Sequence, residues 1–503
     1  MSGDRQIATP TVVGSVLEST AEATVRRVEA LHPGCGLVEV RADRLTASEI
    51  AEILARIDRP VLVTARRREE GGGFDGSETE RRALLEAALA AGARLVDVEW
   101  GSPLADLADE VRVDRVVLSH HGGDCRADVL IELYREMASS FRGRIKIVPT
   151  ATAVGQIEAV RTALRQARGG PPRGPDGLAC FAMGRAGVAS RVLAPSWGAW
   201  ATYGAASPGL ETAEGQLTVA DLLDLYDVLR IDAATRCHGL LGTRVSTSPS
   251  PAMHHAAYRE GGVNACYLPI EIDGLDEIDT LVGPGGALRL DALAVTLPFK
   301  EAAARRSVPG DVVASASGSV NTVVIDEAGR WTGFNTDGPA AVALLGQHLD
   351  LCGARVAIIG AGGTACGIGA ALKEAGAEVT LFNRTPERGR AAAERLGVRG
   401  AALDALPSSR WDALVQATPL GREGEEVLPG RCLAGRAVLD VVYGSRPTPL
   451  VREARRRGLE AVDGFELLAA QAVLQYRRMT GADASRKTMA RAGRRWLQAR
   501  DSA

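Results

Sequence analysis

Among its charged residues, this chain is shortest of lysine. Only four of its 59 basic residues are lysines (Lys146, Lys300, Lys373 and Lys487), and the other 55 are arginines. Where arginine serves as well, arginine has been used. A surviving lysine is then a candidate for what arginine cannot do, which is to lose a proton and attack a carbonyl. Lys373 and Lys487 sit in helical, polar segments, where chance retention is the simpler account. Lys146 lies in an apolar, strand-like run and Lys300 in a Pro-flanked one. Other scarcities narrow the class further. No apolar run approaches the roughly 18 residues of a membrane span. The opening MSGDRQIATP lacks the apolar stretch of a signal peptide, so a cytoplasmic location is expected. The 8 cysteines form no CxxC pair and no metal-ligand spacing, so they are expected to be reduced packing residues, with no metal. Acidic residues (62) nearly balance the basic ones, leaving a net charge of −3 and no basic excess. No nucleic-acid or membrane partner is therefore expected, and the expected ligands are small molecules.

What is present is a globular α/β chain, 46% apolar and 24% charged over 503 residues, long enough for two to four domains. Eight short apolar runs (8–14, 36–42, 60–66, 94–100, 115–120, 144–150, 178–184 and 201–205) alternate with helical patterns such as 77–93. That count and spacing predict an N-terminal (β/α)8 barrel over 1–230. A helix is expected at 219–231 and a surface loop at 169–177. The remainder alternates again. The clearest unit is 355–385, which reads strand, glycine-rich turn, helix, strand and predicts a Rossmann domain over 341–464. A separate α/β domain is expected from 236–340, with 465–497 folding back onto it.

In such a barrel, chemistry gathers at the C-terminal ends of the strands. Those ends carry Glu39 and Arg41, Arg66 and Glu70, Asp97 and Glu99, His120 and His121, Lys146, and Arg191. A lysine between Ile145 and Ile147, desolvated and flanked by arginines, would be a nucleophilic amine suited to a Schiff base, with His121 moving protons. His120 is the competing base. The pattern resembles type I 3-dehydroquinate dehydratase over roughly 8–228. The motifs are E-x-R (Glu39, Arg41), T-x-R with E-G-G (Thr64, Arg66, Glu70), S-x-H (Ser119, His121), K-I (Lys146), Met183 to Arg191, and G-Q (Gly215, Gln216). The resemblance implies that Lys146 forms the imine and that His121, supported by Glu70, moves protons. It implies that Arg191 holds the substrate carboxylate, and that Glu39, Arg41, Arg66 and Gln216 hold the hydroxyls and ring. Thr212, in the lid, stands where that family usually has Ser, Glu214 where it has Pro, and Gly122 where it often has Asp or Asn.

In the second half, Gly360, Ala361, Gly362, Gly363, Thr364 and Ala365 follow an apolar strand and open a helix, a context that marks a pyrophosphate site. Where NAD binders place an acid, the sequence reads Asn383, Arg384, Thr385, with Arg388 beyond. That favours NADP (NADPH) over NAD. Upstream lie V-T-L-P-F-K (with Thr296 and Lys300), S-V-N-T (with Asn321) and N-T-D-G (with Asp337). Together with S-x-S-P (Ser248, Ser250), A-T-P-L-G (with Thr418), D-x-x-Y (Tyr443), Gly464 and Gln471, these resemble shikimate dehydrogenase over about 238–495. The resemblance implies that Lys300 and Asp337 handle the proton at the reacting oxygen. It also implies that Ser248 and Ser250 bind the carboxylate, while Thr296, Asn321, Tyr443 and Gln471 surround the substrate. Thr247, Arg244, Gln416 and Gly444 depart from that family's usual His, Pro, Asn and Pro.

The two resemblances occur in the order of the plant dehydratase–dehydrogenase fusion. The implied product of the first, 3-dehydroshikimate from 3-dehydroquinate, is the implied substrate of the second, which would form shikimate. The alternatives are a non-catalytic sensor built from the same domains, or a chain with one active half.

Overall fold

The structure, a computed structural model, describes residues 10–168, 177–283, 285–425 and 433–501. The loop expected at 169–177 therefore lies, but for Gly177, outside the described residues, as do positions 8 and 9 of the first expected strand.

Eight parallel strands form the first sheet: β1 (Thr11–Val16), β2 (Leu37–Arg41), β3 (Val61–Thr64), β4 (Leu95–Glu99), β5 (Val116–Asp124), β6 (Arg144–Thr150), β7 (Leu178–Cys180) and β8 (Ala201–Ala205). Their order, β7-β6-β5-β4-β3-β2-β1-β8, curls the sheet so that its two ends meet. At that last seam Trp200 N–H donates to the Leu178 carbonyl at 3.4 Å, and its indole Nε1 donates to the Ile145 carbonyl at 3.1 Å. All eight overlap the runs read from the sequence. The flanking helices start where the caps say they should. Ser77 and Glu80 form a reciprocal capping box ahead of Glu78–Ala90, as Thr46 and Glu49 do ahead of Ala47–Arg56.

The helix expected at 219–231 is much shorter. A π-type turn occupies Asp221–Leu225, and Asp227, at φ 50°, stops it. A left-handed residue cannot continue a right-handed helix, and Asp is one of the few side chains that adopts that conformation.

The second sheet is mixed, with β9 (Arg236–Gly242), β10 (Ala265–Glu271), β11 (Leu290–Val295), β12 (Val308–Pro309), β13 (Thr322–Ile325) and β14 (Trp331–Phe334) in the order β10-β9-β11-β13-β14-β12. The third is parallel: β15 (Arg355–Ile359), β16 (Glu378–Asn383), β17 (Arg399–Ala402), β18 (Ala413–Gln416), β19 (Ala437–Asp440) and β20 (Glu460–Val462), in the doubly wound order β17-β16-β15-β18-β19-β20. Separate apolar cores pack around this third sheet. The barrel and the second sheet share one continuous core. The C-terminal segment is two helices, Gly464–Thr480 and Arg486–Asp501, with Gly481 at φ 76° between them. Both return to the second sheet, where Ala469, Ala472, Tyr476, Met479 and Met489 pack with Met253, Tyr258 and Tyr267.

That core also buries three histidines. His254 stacks on Tyr267 with ring centroids 4.1 Å apart, His255 Nε2 accepts from Tyr267 N–H at 3.0 Å, and His238 Nδ1 lies 2.6 Å from the Tyr258 hydroxyl. Burial holds His254 and His255 at about 3. A depressed histidine stays neutral in the fold while its unfolded counterpart takes up a proton, so stability is lost as pH falls below about 6.5. The thermal midpoint should therefore drop between pH 6.5 and 4.5, and His254→Gln should flatten that slope. Equal slopes in variant and wild type would contradict the assignment.

Candidate active sites

At the C-terminal mouth of the barrel lies a cavity of about 320 Å³, lined among others by Lys146, His121, Arg191, Tyr203 and Gln216. Strand alternation places its walls. Ser119 pairs with Lys146 and His121 with Val148 across β5 and β6, so Ser119, His121 and Lys146 share one face and His120 does not. Lys146 is 2% exposed, and its Nζ donates to Asp97 Oδ2 at 3.1 Å, with Glu39 Oε1 3.6 Å away. The Tyr203 ring lies beneath it, 4.4 Å from Nζ to the centroid. The arginine neighbours expected around this lysine are thus carboxylates. Arg66 instead sits one step out, 3.0 Å from Asp97, 3.3 Å from Glu99 and 3.3 Å from Glu70.

These carboxylates are themselves held. Glu39 accepts from Ser15 at 2.6 Å and Thr64 at 3.0 Å, and Asp97 accepts from Ser119 at 2.5 Å. Burial alone would raise Asp97, but the charges of Arg66 and Lys146 keep it at about 2. Glu70 differs: burial outweighs Arg66 and pushes it to about 7. Its Oε2 lies 3.0 Å from His121 Nδ1. Burial, then the cations Arg66 and Lys146, drive His121 well below 6.5, so the imidazole is neutral and its Nε2 is the edge left for substrate. Arg191 is 1% exposed, with its guanidinium over the Phe181 ring and its Nε and Nη2 without a hydrogen-bond partner. Burial lowers it to about 10. A buried guanidinium without an acceptor is costly until an anion arrives. Arg41 is forked onto Asp43 at 3.1 and 2.6 Å, and Gln216 Oε1 accepts from Thr212 N–H at 2.7 Å, which ties the lid segment to itself.

The second cluster lies between the second and third sheets. Lys300 starts the helix Lys300–Arg306 and Asp337 the helix Asp337–Leu345, and their side chains meet at 2.5 Å. Asn321 Nδ2 donates to the other Asp337 oxygen at 2.8 Å and to Thr336 at 2.9 Å, and Thr336 donates to Gln471 at 3.1 Å. Ser248 donates to Ser250 at 3.1 Å, and the Tyr443 hydroxyl bonds to Ser248. Thr296 lies at the end of β11, where its N–H donates to the Leu241 carbonyl at 2.9 Å.

The glycine-rich turn fits a dinucleotide. Gly360 has φ 120°, and a Cβ there would stand 2.9 Å from the Ala417 carbonyl and 3.3 Å from Thr418. A Cβ on Gly362, which caps the helix Gly363–Glu374, meets open space, so phosphate can approach the bare backbone and the helix N-terminus. Gln416, where the resemblance led to an expected Asn, braces the following turn: its Oε1 accepts from Thr418 N–H at 3.0 Å and its Nε2 donates to the Thr418 carbonyl at 3.0 Å. Asn383 Nδ2 donates to the Thr385 carbonyl at 2.9 Å; Arg384 is exposed just past the end of β16, and Arg388 is exposed in the helix Pro386–Leu396. Gly464, at the start of its helix, lies against the Val442 carbonyl, where a Cβ would come within 2.3 Å.

The structure thus gathers the barrel residues into one cavity and Lys300, Asp337, Asn321 and Gln471 into one hydrogen-bonded network. Arg384 and Arg388 stand apart from both. Sequence reasoning named Asp97 among the strand-end residues but gave it no role, and it left out Tyr203, although both face inward by alternation along β4 and β8; it also missed the bond from Lys300 to Thr364 at 2.9 Å. Among the described residues, no group of three or more His, Cys, Asp or Glu side chains is placed to hold a metal, and no helix is long and apolar enough to cross a membrane.

Comparison with known proteins follows the same division. Residues 12–233 match the type I 3-dehydroquinase family, 240–323 the shikimate dehydrogenase substrate binding domain, and 343–418 the shikimate / quinate 5-dehydrogenase family. The chain is 29% identical over 502 residues to a bifunctional 3-dehydroquinate dehydratase/shikimate dehydrogenase, chloroplastic, of Arabidopsis thaliana, covering 93% of this chain and 82% of that protein. It is 38% identical over 256 residues to the shikimate dehydrogenase (NADP(+)) of Thermococcus kodakarensis, covering 50% of this chain and 93% of that one. A shikimate 5-dehydrogenase from Thermus thermophilus in complex with NADP(H) and shikimate aligns at 35% identity with a TM-score of 0.47, over 52% of this chain and 100% of that chain.

The Glu70–His121 pair makes a direct prediction. Carboxyl 13C resonances should show Glu70 titrating near 7, well above an ordinary glutamate, while His121 takes up its charge at a pH well below that of an ordinary histidine. A Glu70 midpoint below 5 would contradict the desolvated pair.

Proposed function

The chain belongs to the shikimate dehydrogenase family, with a type I 3-dehydroquinase domain joined ahead of it, and we propose that it converts 3-dehydroquinate to 3-dehydroshikimate at Lys146 and reduces that product to shikimate at Lys300 and Asp337. The observation that carries the first step is a buried lysine sharing one cavity with the Arg191 guanidinium, whose Nε and Nη2 have no hydrogen-bond partner. An amine for a ketone and a cation for a carboxylate are what a cyclic keto acid requires.

In the barrel, Arg191 takes the substrate carboxylate, while Glu39, Arg41, Arg66, Thr212 and Gln216 hold the ring and its hydroxyls. The Lys146 nitrogen adds to the ketone carbon, and the oxygen leaves as water to give the iminium. That cation acidifies the neighbouring C–H. His121 Nε2 removes the proton, with Nδ1–H held by the Glu70 carboxylate, and returns it to the departing hydroxyl. Water then releases the product from Lys146. Protonating Glu70 reverses the Nδ1 hydrogen bond and shifts the imidazole proton to Nε2, so dehydration should fail as pH falls through about 7.

At the second site, Ser248, Ser250 and Tyr443 receive the carboxylate, and Thr296, Asn321 and Gln471 surround the ring. NADPH, when bound, supplies hydride to the carbonyl carbon. Lys300 gives a proton to the carbonyl oxygen, and Asp337 keeps that ammonium oriented. Gly360 to Ala365, Thr418 and Gly464 would hold the dinucleotide, with Asn383, Arg384, Thr385 and Arg388 at its 2′-phosphate. The division into a barrel (1–230), a substrate domain (236–340 with 465–497) and a nucleotide domain (341–464) is part of this reading, supported by the three sheets.

Borohydride added with 3-dehydroshikimate should leave a covalent adduct on Lys146 that is absent from Lys146→Ala, and labelling that persisted in the variant would exclude the Schiff base. Lys300→Ala should lose shikimate oxidation and keep dehydration. Arg384→Ala should weaken NADPH by roughly one to two orders of magnitude, the worth of a charge-assisted contact, and NADH much less. An unchanged NADP/NAD ratio of kcat/KM would assign the phosphate to other groups.

A further inference from the structure

Lys300 makes two contacts of different origin. Its Nζ donates to Asp337 Oδ2 at 2.5 Å and to Thr364 Oγ1 at 2.9 Å. Asp337 belongs to the segment that follows β14, whereas Thr364 is the second residue of the helix Gly363–Glu374, which opens at the dinucleotide turn. The lysine is therefore tethered to both walls of the cleft, one of them the loop that receives the cofactor.

The approach is close because position 363 has no side chain. A Cβ there would stand 2.8 Å from Ser319 Oγ and 3.0 Å from Lys300 Cβ, so glycine is what lets the nucleotide helix touch the lysine stem. Threonine at the next position then carries a hydroxyl on a β-branched side chain with few rotamers. An ammonium has three N–H donors on a flexible four-carbon stem. Asp337 occupies one donor, which leaves the nitrogen free to swing about that bond. A second fixed acceptor removes that freedom and leaves one N–H for substrate.

The geometry points to Thr364 as a positioning residue for the reduction: its hydroxyl fixes the Lys300 ammonium so that the remaining N–H faces the substrate oxygen. The inference deepens the reading of Lys300 as proton donor and rests on it. A threonine in a phosphate turn would otherwise be expected to act only on nucleotide affinity, and the two roles separate in kinetics. A nucleotide contact changes KM for NADP, whereas an oriented donor changes kcat.

The test compares shikimate oxidation with NADP by the full-length wild type, Thr364→Val, Thr364→Ser and Lys300→Ala. Thr364→Val keeps shape and loses the acceptor. Its kcat should fall about tenfold, the scale of one charge-assisted hydrogen bond, with KM for NADP changed less than about threefold. The solvent deuterium isotope effect on kcat should rise as the proton step becomes more limiting, and Thr364→Ser should restore most of kcat. A Thr364→Val enzyme with unaltered kcat, or one changed only in KM for NADP, would overturn the inference while wild-type activity and an inactive Lys300→Ala left the functional reading standing. A wild type unable to oxidise shikimate would overturn both.

Discussion

An ammonium group taken out of water must be paid back by carboxylates, and those carboxylates must in turn be held by donors, or the burial costs more than the fold can bear. Both sites of this protein are built around that constraint. Lys146, 2% exposed, faces Asp97 and Glu39, which are held by Ser119, Ser15, Thr64 and Arg66. Lys300, 8% exposed, faces Asp337, which is held by Asn321. The two exposed lysines have no such shell: Lys373 donates to the Leu396 carbonyl, and Lys487 lies on the surface of the last helix.

The surrounding architecture follows from how each lysine is used. The barrel buries its lysine, and the nearby groups separate by environment: Asp97, beside Arg66 and Lys146, is held at about 2, while Glu70, which also meets Arg66 but is paired with a neutral imidazole, rises to about 7. The second site instead lies between two sheets, with Lys300 following β11 of the second and Thr364 following β15 of the third. The halves are not beads on a string. Their apolar core is continuous, and Glu271 at the end of β10 accepts from the N–H groups of Val245 and Ser246 while facing Arg185 of the barrel at 3.6 Å.

Much of this was legible in the sequence because it is local. Short apolar runs alternating with helical patterns gave all eight barrel strands, and the scarcity of lysine, read with the context of each, singled out the two that are buried. The choice of His121 over His120 as the inward residue also follows from alternation with Ser119. What was not legible depends on contacts distant in the chain. The apolar pattern at 219–231 reads as a helix, but Asp227 in a left-handed conformation ends it early. The partners of Lys146 come from positions 39 and 97, over a hundred and about fifty residues away, and no local pattern distinguishes them from the arginines that share their rim. The bond from Lys300 to Thr364 spans two separate sheets and was invisible for the same reason.

The account claims that two lysine chemistries act in succession on one chain. It is tested most directly by supplying 3-dehydroquinate and NADPH as the only reagents and following both nicotinamide absorbance and shikimate. The account predicts that shikimate forms in step with NADPH consumption, with 3-dehydroshikimate as the intermediate. NADPH left unoxidised while 3-dehydroshikimate accumulates, or 3-dehydroquinate left unchanged, would contradict it.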